Sequence, residues 1–383
     1  MILIPYARQS ISKADIDAVT EVLQSNYLTQ GPVVPEFERA LAVRCEAELG
    51  VAVNSATSAL HLACVALGVG PGDVVWTTPT TFVASANCAR YCGADVDFVD
   101  IDPNTWCLSV GNLEQKLSAH KKNNLPLPKV VVPVHLSGQS CEMEAISALG
   151  RDYGFYILED ASHAIGGSYQ GKPVGNCRYS DVTVFSFHPV KIITTGEGGM
   201  ALTNRTDYYS SMTRLRAHGI TRDQEQLTLQ SEGSWYYEQL DLGFNYRMND
   251  IQAALGLSQL GRLEEFVTVR NQMAKRYNEA FEDLPIRIQD VPDDVMSARH
   301  LYVIRVDASK HREIFMSLRE AGIGVNLHYL PVHLHPYYRD LGFTRGQFME
   351  AEKYGNEAIS LPLYPSMDGE QQEFVINIVK RLI

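Results

Sequence analysis

Asp181-Val-Thr-Val-Phe-Ser-Phe-His-Pro-Val-Lys-Ile-Ile-Thr-Thr-Gly-Glu-Gly-Gly199 decides the reading of this chain. Its first half has the period of a strand. Val182, Val184 and Ser186 fall on one face, and Thr183, Phe185 and Phe187 on the other. Pro189 ends any sheet pairing, and Lys191 follows it. A turn rich in small residues closes the stretch with Thr194, Thr195, Gly196, Gly198 and Gly199. A lysine held between a buried strand and a glycine turn loses water. Its pKa falls and its amine becomes a nucleophile, as Schiff-base chemistry requires. Taken alone, such a lysine is more often a surface residue after a strand, so its surroundings must carry the argument.

Those surroundings alternate strands and helices. Short apolar runs at residues 51–55, 74–78, 96–101, 130–135, 156–160 and 200–203, with the opening stretch, make seven strands. Helical patterns at 56–67, 81–89, 113–120 and 143–153 separate the first five. The pattern predicts a largely parallel sheet covered on both faces. Ser12 caps a first helix carrying Ile16, Val19, Val22 and Leu23, and a second helix is expected over 35–48. Residues 220–238 are polar, then aromatic, and read as a loop or flap. Residues 249–281 read as a helix that links two domains. A smaller α/β region follows, with strands at 301–305 and 324–327, a helix at 311–321 and a last helix starting near Asp368.

The chain has 383 residues, enough for one large domain and a smaller one. Its formal net charge of -12 and the absence of a basic run argue against a nucleic-acid surface. An anionic ligand must then be held by local donors. The seven cysteines are scattered without zinc-type spacing and read as reduced thiols, Cys88 and Cys92 as packing on one helix face. The apolar start Met1-Ile-Leu-Ile is too short for a signal segment, and no apolar run reaches membrane-spanning length. A soluble cytoplasmic protein is expected, with no metal.

In a doubly wound sheet, ligands sit beyond the C-terminal strand ends. Asn54-Ser-Ala-Thr-Ser-Ala59 joins a strand end to a helix start, where free N–H groups and small side chains suit a phosphate, with Thr57 and Ser58 as donors. A plain N-cap explains the same residues. Asp160 ends a strand and can pair with a protonated ring nitrogen, with His163 near the same ring; an N-cap and a satisfied histidine are the ordinary alternative. Phe82 can stack on a planar cofactor or simply fill a core. Ser186 offers a hydroxyl to a phosphate. A lysine nucleophile, an anion-binding helix start, an acid for a ring nitrogen and an aromatic for a ring face are together what pyridoxal phosphate needs. Their order on successive strands is more specific than any one of them.

The sequence resembles the DegT-type sugar-nucleotide aminotransferases nearly end to end. The resemblance rests on Leu28-Thr-Gln-Gly31, Asn54-Ser-Ala-Thr-Ser-Ala-Leu60, Thr78-Pro-Thr-Thr-Phe-Val-Ala84, Asp160-Ala-Ser-His163, Phe185-Ser-Phe-His-Pro-Val-Lys191, Glu197-Gly-Gly199, Gly243-Phe-Asn-Tyr-Arg-Met248 and His328-Tyr-Leu-Pro331. It implies the aspartate-aminotransferase fold (fold type I). That fold is α/β: a large domain with a mainly parallel seven-stranded sheet, plus a smaller C-terminal α/β domain. The expected division is 1–250, a cofactor-binding domain with an N-terminal arm, and 251–383, a linker helix and small domain. The resemblance implies Lys191 as the Schiff-base lysine, Asp160 on the pyridine nitrogen, His163 near the ring hydroxyl and Phe82 on the ring face. It implies Thr57, Ser58 and Ser186 on the phosphate, helped by Asn245 from the partner of a homodimer with shared sites. Family dehydratases replace the lysine by histidine, so Lys191 favours transamination.

Pro5-Tyr6, Leu28-Thr-Gln, Asn54-Ser-Ala-Thr-Ser and the pair Ser162-His163 resemble the branch that serves pseudaminic acid biosynthesis. That branch aminates C4 of UDP-2-acetamido-2,6-dideoxy-β-L-arabino-hexos-4-ulose. The expected reaction is ping-pong, with L-glutamate as amino donor and Lys191 shuttling protons to and from the donor Cα and sugar C4. Tyr6, Thr29, Gln30, Gly31, Trp235 and His328 are the candidate contacts for the UDP-sugar. Rival readings are an aminotransferase for another 4-keto sugar, a lyase or amino-acid aminotransferase of the same fold, and a cofactor-binding regulator. The last would normally bring a DNA-binding module, and none is visible.

Overall fold

The structure, a computed structural model, describes residues 4–231 and 233–383. Seven strands form the main sheet: β1 (Leu49–Val53), β2 (Val74–Thr77), β3 (Asp95–Phe98), β4 (Val130–Val132), β5 (Tyr156–Asp160), β6 (Val182–Ser186) and β7 (Gly199–Thr203). Their order is β1-β7-β6-β5-β4-β2-β3. Helices join the parallel strands β2 to β5, as crossover geometry demands. β6 lies parallel to β5, but β7 runs antiparallel to both β6 and β1. The reason is the link between β6 and β7. It is the lysine turn, with no helix to carry the chain back across the sheet.

The alternation read in the opening stretch is realised. Val182 and Val184 enter one core with Leu60, Leu62 and Cys64, while Phe185 and Phe187 enter the other with Phe37 and Leu41. Full burial of side chains this size contributes roughly 1.5–3 kcal/mol each, so the strand is fixed from both faces. The apolar helix Ala56–Ala66 is buried through Ser58 to Cys64 and is capped by Ser55, whose hydroxyl accepts from Ser58 N–H at 3.1 Å. Ser12 caps Lys13–Gln24 in a capping box with Asp15.

A smaller three-stranded antiparallel sheet follows, with Tyr302–Arg305 between Arg287–Ile288 and Ala358–Leu361. Helices His311–Glu320 and Gly369–Leu382 share its core through Ile314, Leu318, Val375 and Val379. Ile4 bridges to Ile323, and Tyr6 C=O accepts from Leu363 N–H at 3.1 Å, so the N-terminal arm lies on this smaller layer. Residues 324–327 are not a strand: single bridges at Ile323 and Asn326 replace it. The expected helix over 249–281 is two helices, Asp250–Leu260 and Leu263–Ala280, broken at Gly261 and Arg262. Among the described residues, no helix is long and apolar enough to cross a membrane.

Gly199 places the site. A Cβ there would sit 2.5 Å from Ala56 N and 2.6 Å from Ser55 C, so only glycine lets the start of helix Ala56–Ala66 lie against β7. Gly199→Ala should shift that helix and cost about 1–3 kcal/mol, read as a lower Tm. An unchanged melting curve would show that the contact relaxes freely.

Candidate active site

A cavity of about 450 Å³ opens beyond the C-terminal ends of β5 and β6. Its floor is the lysine turn. Phe187 N–H donates to Gly198 C=O at 2.9 Å, Thr195 N–H to Phe187 C=O at 3.0 Å, and Lys191 N–H to His188 C=O at 2.9 Å. These bonds fold residues 187–198 back onto the strand and turn Lys191 into the cavity. Withdrawal from water lowers the Lys191 ammonium to about 8, against the opposing pull of the Asp160 carboxylate.

Asp160 ends β5 and is 5% exposed. Its carboxylate accepts from Ser85 Oγ at 2.5 Å and from Ser162 N–H at 3.1 Å, which fixes its direction. His163 is buried. Its Nδ1 accepts from Ser137 N–H at 3.3 Å, which leaves the ring proton on Nε2, facing Tyr329 Oη at 3.0 Å. Burial, Lys191 and His328 hold its pKa well below the usual histidine range, so the ring is neutral. Tyr329 can pass its own hydroxyl hydrogen to a partner in the cavity.

Eight of the residues singled out from sequence line this one cavity: Tyr6, Thr57, Phe82, Asp160, His163, Ser186, Lys191 and His328. The Phe82 ring is 57% exposed at the rim, an unusual state for phenylalanine. His328 Nε2 accepts from Asn326 Nδ2 at 3.3 Å, which leaves the ring proton on Nδ1, facing Ser360 Oγ at 2.8 Å, so neither nitrogen is open to a ligand as it stands. Its ring tilts against Tyr6 at 5.2 Å, and burial lowers its pKa to about 3.

The other six lie elsewhere on the chain. Ser58 turns back, its Oγ donating to Asn54 Oδ1 at 2.7 Å. Thr29 is exposed, while Gln30 and Gly31 border a second cavity of about 390 Å³ with Arg214, Arg216, Arg222 and Arg247. That turn is held by Asp250, whose two oxygens accept from Gly31 and Val33 N–H, both at 2.9 Å. Trp235 is 71% exposed in a loop that closes on Glu238, whose carboxylate accepts from Thr228 and Leu229 N–H at 2.7 and 2.8 Å. Asn245 is exposed, and its C=O accepts from Asn54 Nδ2 at 3.5 Å.

Three cavity neighbours escaped sequence reasoning. Ser85 orients Asp160, Tyr329 partners His163, and His300 lies against His163 with ring centroids 4.4 Å apart. Tyr329 sat inside a motif already noted, His328-Tyr-Leu-Pro331. Ser85 lies one turn beyond Phe82, which was the available signal. His300 had none.

Residues 9–380 match the DegT/DnrJ/EryC1/StrS aminotransferase family. The chain is 41% identical over 387 residues to the spore coat polysaccharide biosynthesis protein SpsC of Bacillus subtilis (strain 168), covering 99% of this chain and 97% of that protein. It is 38% identical over 382 residues to a UDP-4-amino-4,6-dideoxy-N-acetyl-beta-L-altrosamine transaminase of Campylobacter jejuni, covering 97% and 96%. The PLP form of the putative sugar aminotransferase Spr1654 from Streptococcus pneumoniae superposes with a TM-score of 0.89 at 31% identity, covering 99% of both chains. Sequence and fold agree over nearly the full length, and the chain belongs to the DegT/DnrJ/EryC1/StrS aminotransferase family.

Proposed function

We propose that this aminotransferase moves the amino group of L-glutamate to C4 of UDP-2-acetamido-2,6-dideoxy-β-L-arabino-hexos-4-ulose, in pseudaminic acid biosynthesis, as a homodimer with shared sites. It is a PLP-dependent sugar aminotransferase. The observation that carries the reading is Lys191, an amine of lowered pKa in the same cavity as the fixed carboxylate of Asp160.

The donor set suits the cofactor. The exposed Phe82 ring offers a flat face, and the Asp160 carboxylate, held by Ser85 and Ser162, suits a protonated ring nitrogen. The first N–H groups of Ala56–Ala66, Thr57 and Ser186 suit a phosphate. His163 with Tyr329 suits the ring hydroxyl, and Lys191 is the residue to bind the aldehyde carbon. When bound, pyridoxal phosphate supplies an electron-withdrawing ring that stabilises negative charge on a carbon losing its proton. With the cofactor bound, Lys191 would take the proton from the donor Cα and, in the second half-reaction, give one to sugar C4. Asp160 would hold positive charge at the ring nitrogen. Phe82 and Tyr329 shield the reacting face from water.

The UDP-sugar assignment draws on the Campylobacter relative and on Pro5-Tyr6 and Ser162-His163. A second reading, another nucleotide 4-keto sugar, draws on the higher identity to the spore coat protein. A panel of UDP- and dTDP-4-keto sugars with enzyme, PLP and glutamate, read by mass spectrometry, separates them. The arabino-hexulose should be converted to its 4-amino sugar fastest. Clean turnover of a different 4-ketose with none of this one would favour the second reading.

The same reading puts Asn245 in the partner's site. It is exposed, next to the start of Asp250–Leu260 and outside the lysine cavity of its own chain. Lys191→Ala and Asn245→Asp should each be weak or inactive, the aspartate because it adds negative charge beside a phosphate. Refolded together, the two form mixed dimers in which one site carries both defects and the other neither. With random pairing about a quarter of all sites should work. Activity no higher than the parents' sum, despite proven mixed dimers, would remove Asn245 from the shared site.

A further inference from the structure

Asn326 is half-buried and borders the lysine cavity. Among the described residues that line it, Asn326 alone carries a side-chain amide. Its backbone is tied to the strand Ala358–Leu361. Asn326 N–H donates to Ser360 C=O at 3.3 Å, and its C=O accepts from Ser360 N–H at 2.8 Å. Its side chain is tied as well. Oδ1 accepts from Leu327 N–H at 2.9 Å, which fixes the amide with Nδ2 towards His328 Nε2 at 3.3 Å. His328 keeps that nitrogen as an acceptor, because its ring proton sits on Nδ1, facing Ser360 Oγ. The imidazole is held in turn, tilted against Tyr6 at 5.2 Å and edge-on to Tyr329 at 5.0 Å. A side-chain amide has two N–H groups. One goes to His328, and the other has no partner among the described residues.

An amide fixed by its oxygen and by one N–H has a single thing left to offer the cavity, a hydrogen-bond donor. A 4-keto-6-deoxy sugar held with C4 at Lys191 carries a methyl group beyond C5, a hydroxyl at C3 and a variable group at C2. The methyl group cannot accept a hydrogen bond, and the C3 hydroxyl does not tell such sugars apart. An acetamido carbonyl at C2 accepts and has no hydrogen to give, so it complements a donor that cannot accept. We propose that Asn326 determines specificity at sugar C2, its free amide N–H donating to the carbonyl oxygen of a 2-acetamido group. This rests on the reading of the chain as an aminotransferase for a 2-acetamido 4-keto sugar. A C2 hydroxyl ends short of that oxygen and leaves the N–H without an acceptor. His328, with both nitrogens engaged, is a positioning residue that holds the amide.

The test gives the holoenzyme, with glutamate, two UDP-4-keto-6-deoxy sugars that differ only in acetamido or hydroxyl at C2, and reads kcat and KM for each. The unmutated enzyme should prefer the acetamido sugar. Asn326→Leu keeps the bulk and removes the donor. It should lose about tenfold in kcat/KM for the acetamido sugar, mostly in KM, and change little for the hydroxy sugar. Damage to the fold would lower both alike. UDP-N-acetylglucosamine and UDP-glucose lack a ketone and give the same comparison by binding calorimetry, with no variant needed. The first should bind the unmutated holoenzyme about tenfold more tightly than the second. Equal binding of the two, or an unmoved acetamido-to-hydroxy ratio in Asn326→Leu, would overturn this proposal alone. No turnover of the acetamido ketosugar by the unmutated enzyme would overturn it together with the reading on which it rests.

Discussion

Lys191→Ala should lose turnover by on the order of 10⁴-fold while the chain stays folded. In the proposed mechanism the lysine is both the covalent anchor and the proton carrier, and either role alone is worth several orders of magnitude. Its removal should not weaken the fold, because a buried ammonium is a cost and alanine has none. Tm should hold or rise. Borohydride reduction of the unmutated holoenzyme, followed by peptide mapping, should place the pyridoxyl group on Lys191. A label on any other lysine would sink the assignment. The pH dependence follows from the same burial. The neutral amine attacks the aldehyde, and Lys191 is held at about 8 where a free lysine titrates near 10.4. Cofactor uptake by the apoprotein should therefore rise from pH 7, where about a tenth of the amine is neutral, and level off near pH 9. A rise continuing through pH 10 would show that Lys191 is not desolvated.

What could be read from sequence follows the range of each interaction. Side-chain parity in a strand is local, so the two faces of Val182–Ser186 and the cavity end carrying Ser186 were visible in five residues. The antiparallel sense of β7 was not, because it depends on how residues 187–198 fold back through long-range backbone bonds. Residues 324–327 look strand-like but pair only at single bridges, since Ile4 and Ser360 meet them at separate points. Asp160 and Lys191 announce their chemistry by residue type at a strand end. Tyr329 and His300 do not: they reach His163 from more than 130 positions away, and only packing brings them there. The Leu28-to-Gly31 turn, Trp235 and Asn245 lie away from the lysine cavity of their own chain, and nothing local in their sequence sets that distance.

Asp160→Asn should leave the cofactor bound and reduce kcat by roughly 10²- to 10⁴-fold. Asparagine keeps the shape. Its carbonyl can still accept from Ser162 N–H, and Ser85 Oγ, which also meets Thr81 Oγ1 at 2.7 Å, can turn to accept from the new amide. The fold is therefore spared. What disappears is the negative charge that, in the proposed mechanism, would keep a proton on the ring nitrogen, a stabilisation felt most when the donor Cα has lost its own proton. The phosphate grip and the lysine link lie elsewhere, so binding should change far less than turnover. A second readout separates this from a local distortion. The Asp160 carboxylate now pulls the Lys191 pKa upward, against burial. Without that charge the Lys191 pKa should fall further, and cofactor uptake by the apoprotein should reach its plateau at a lower pH than in the unmutated chain. A kcat close to the parent's would remove Asp160 from the ring nitrogen. A loss of kcat with an unmoved uptake profile would mean that its charge does not reach Lys191 across the cavity.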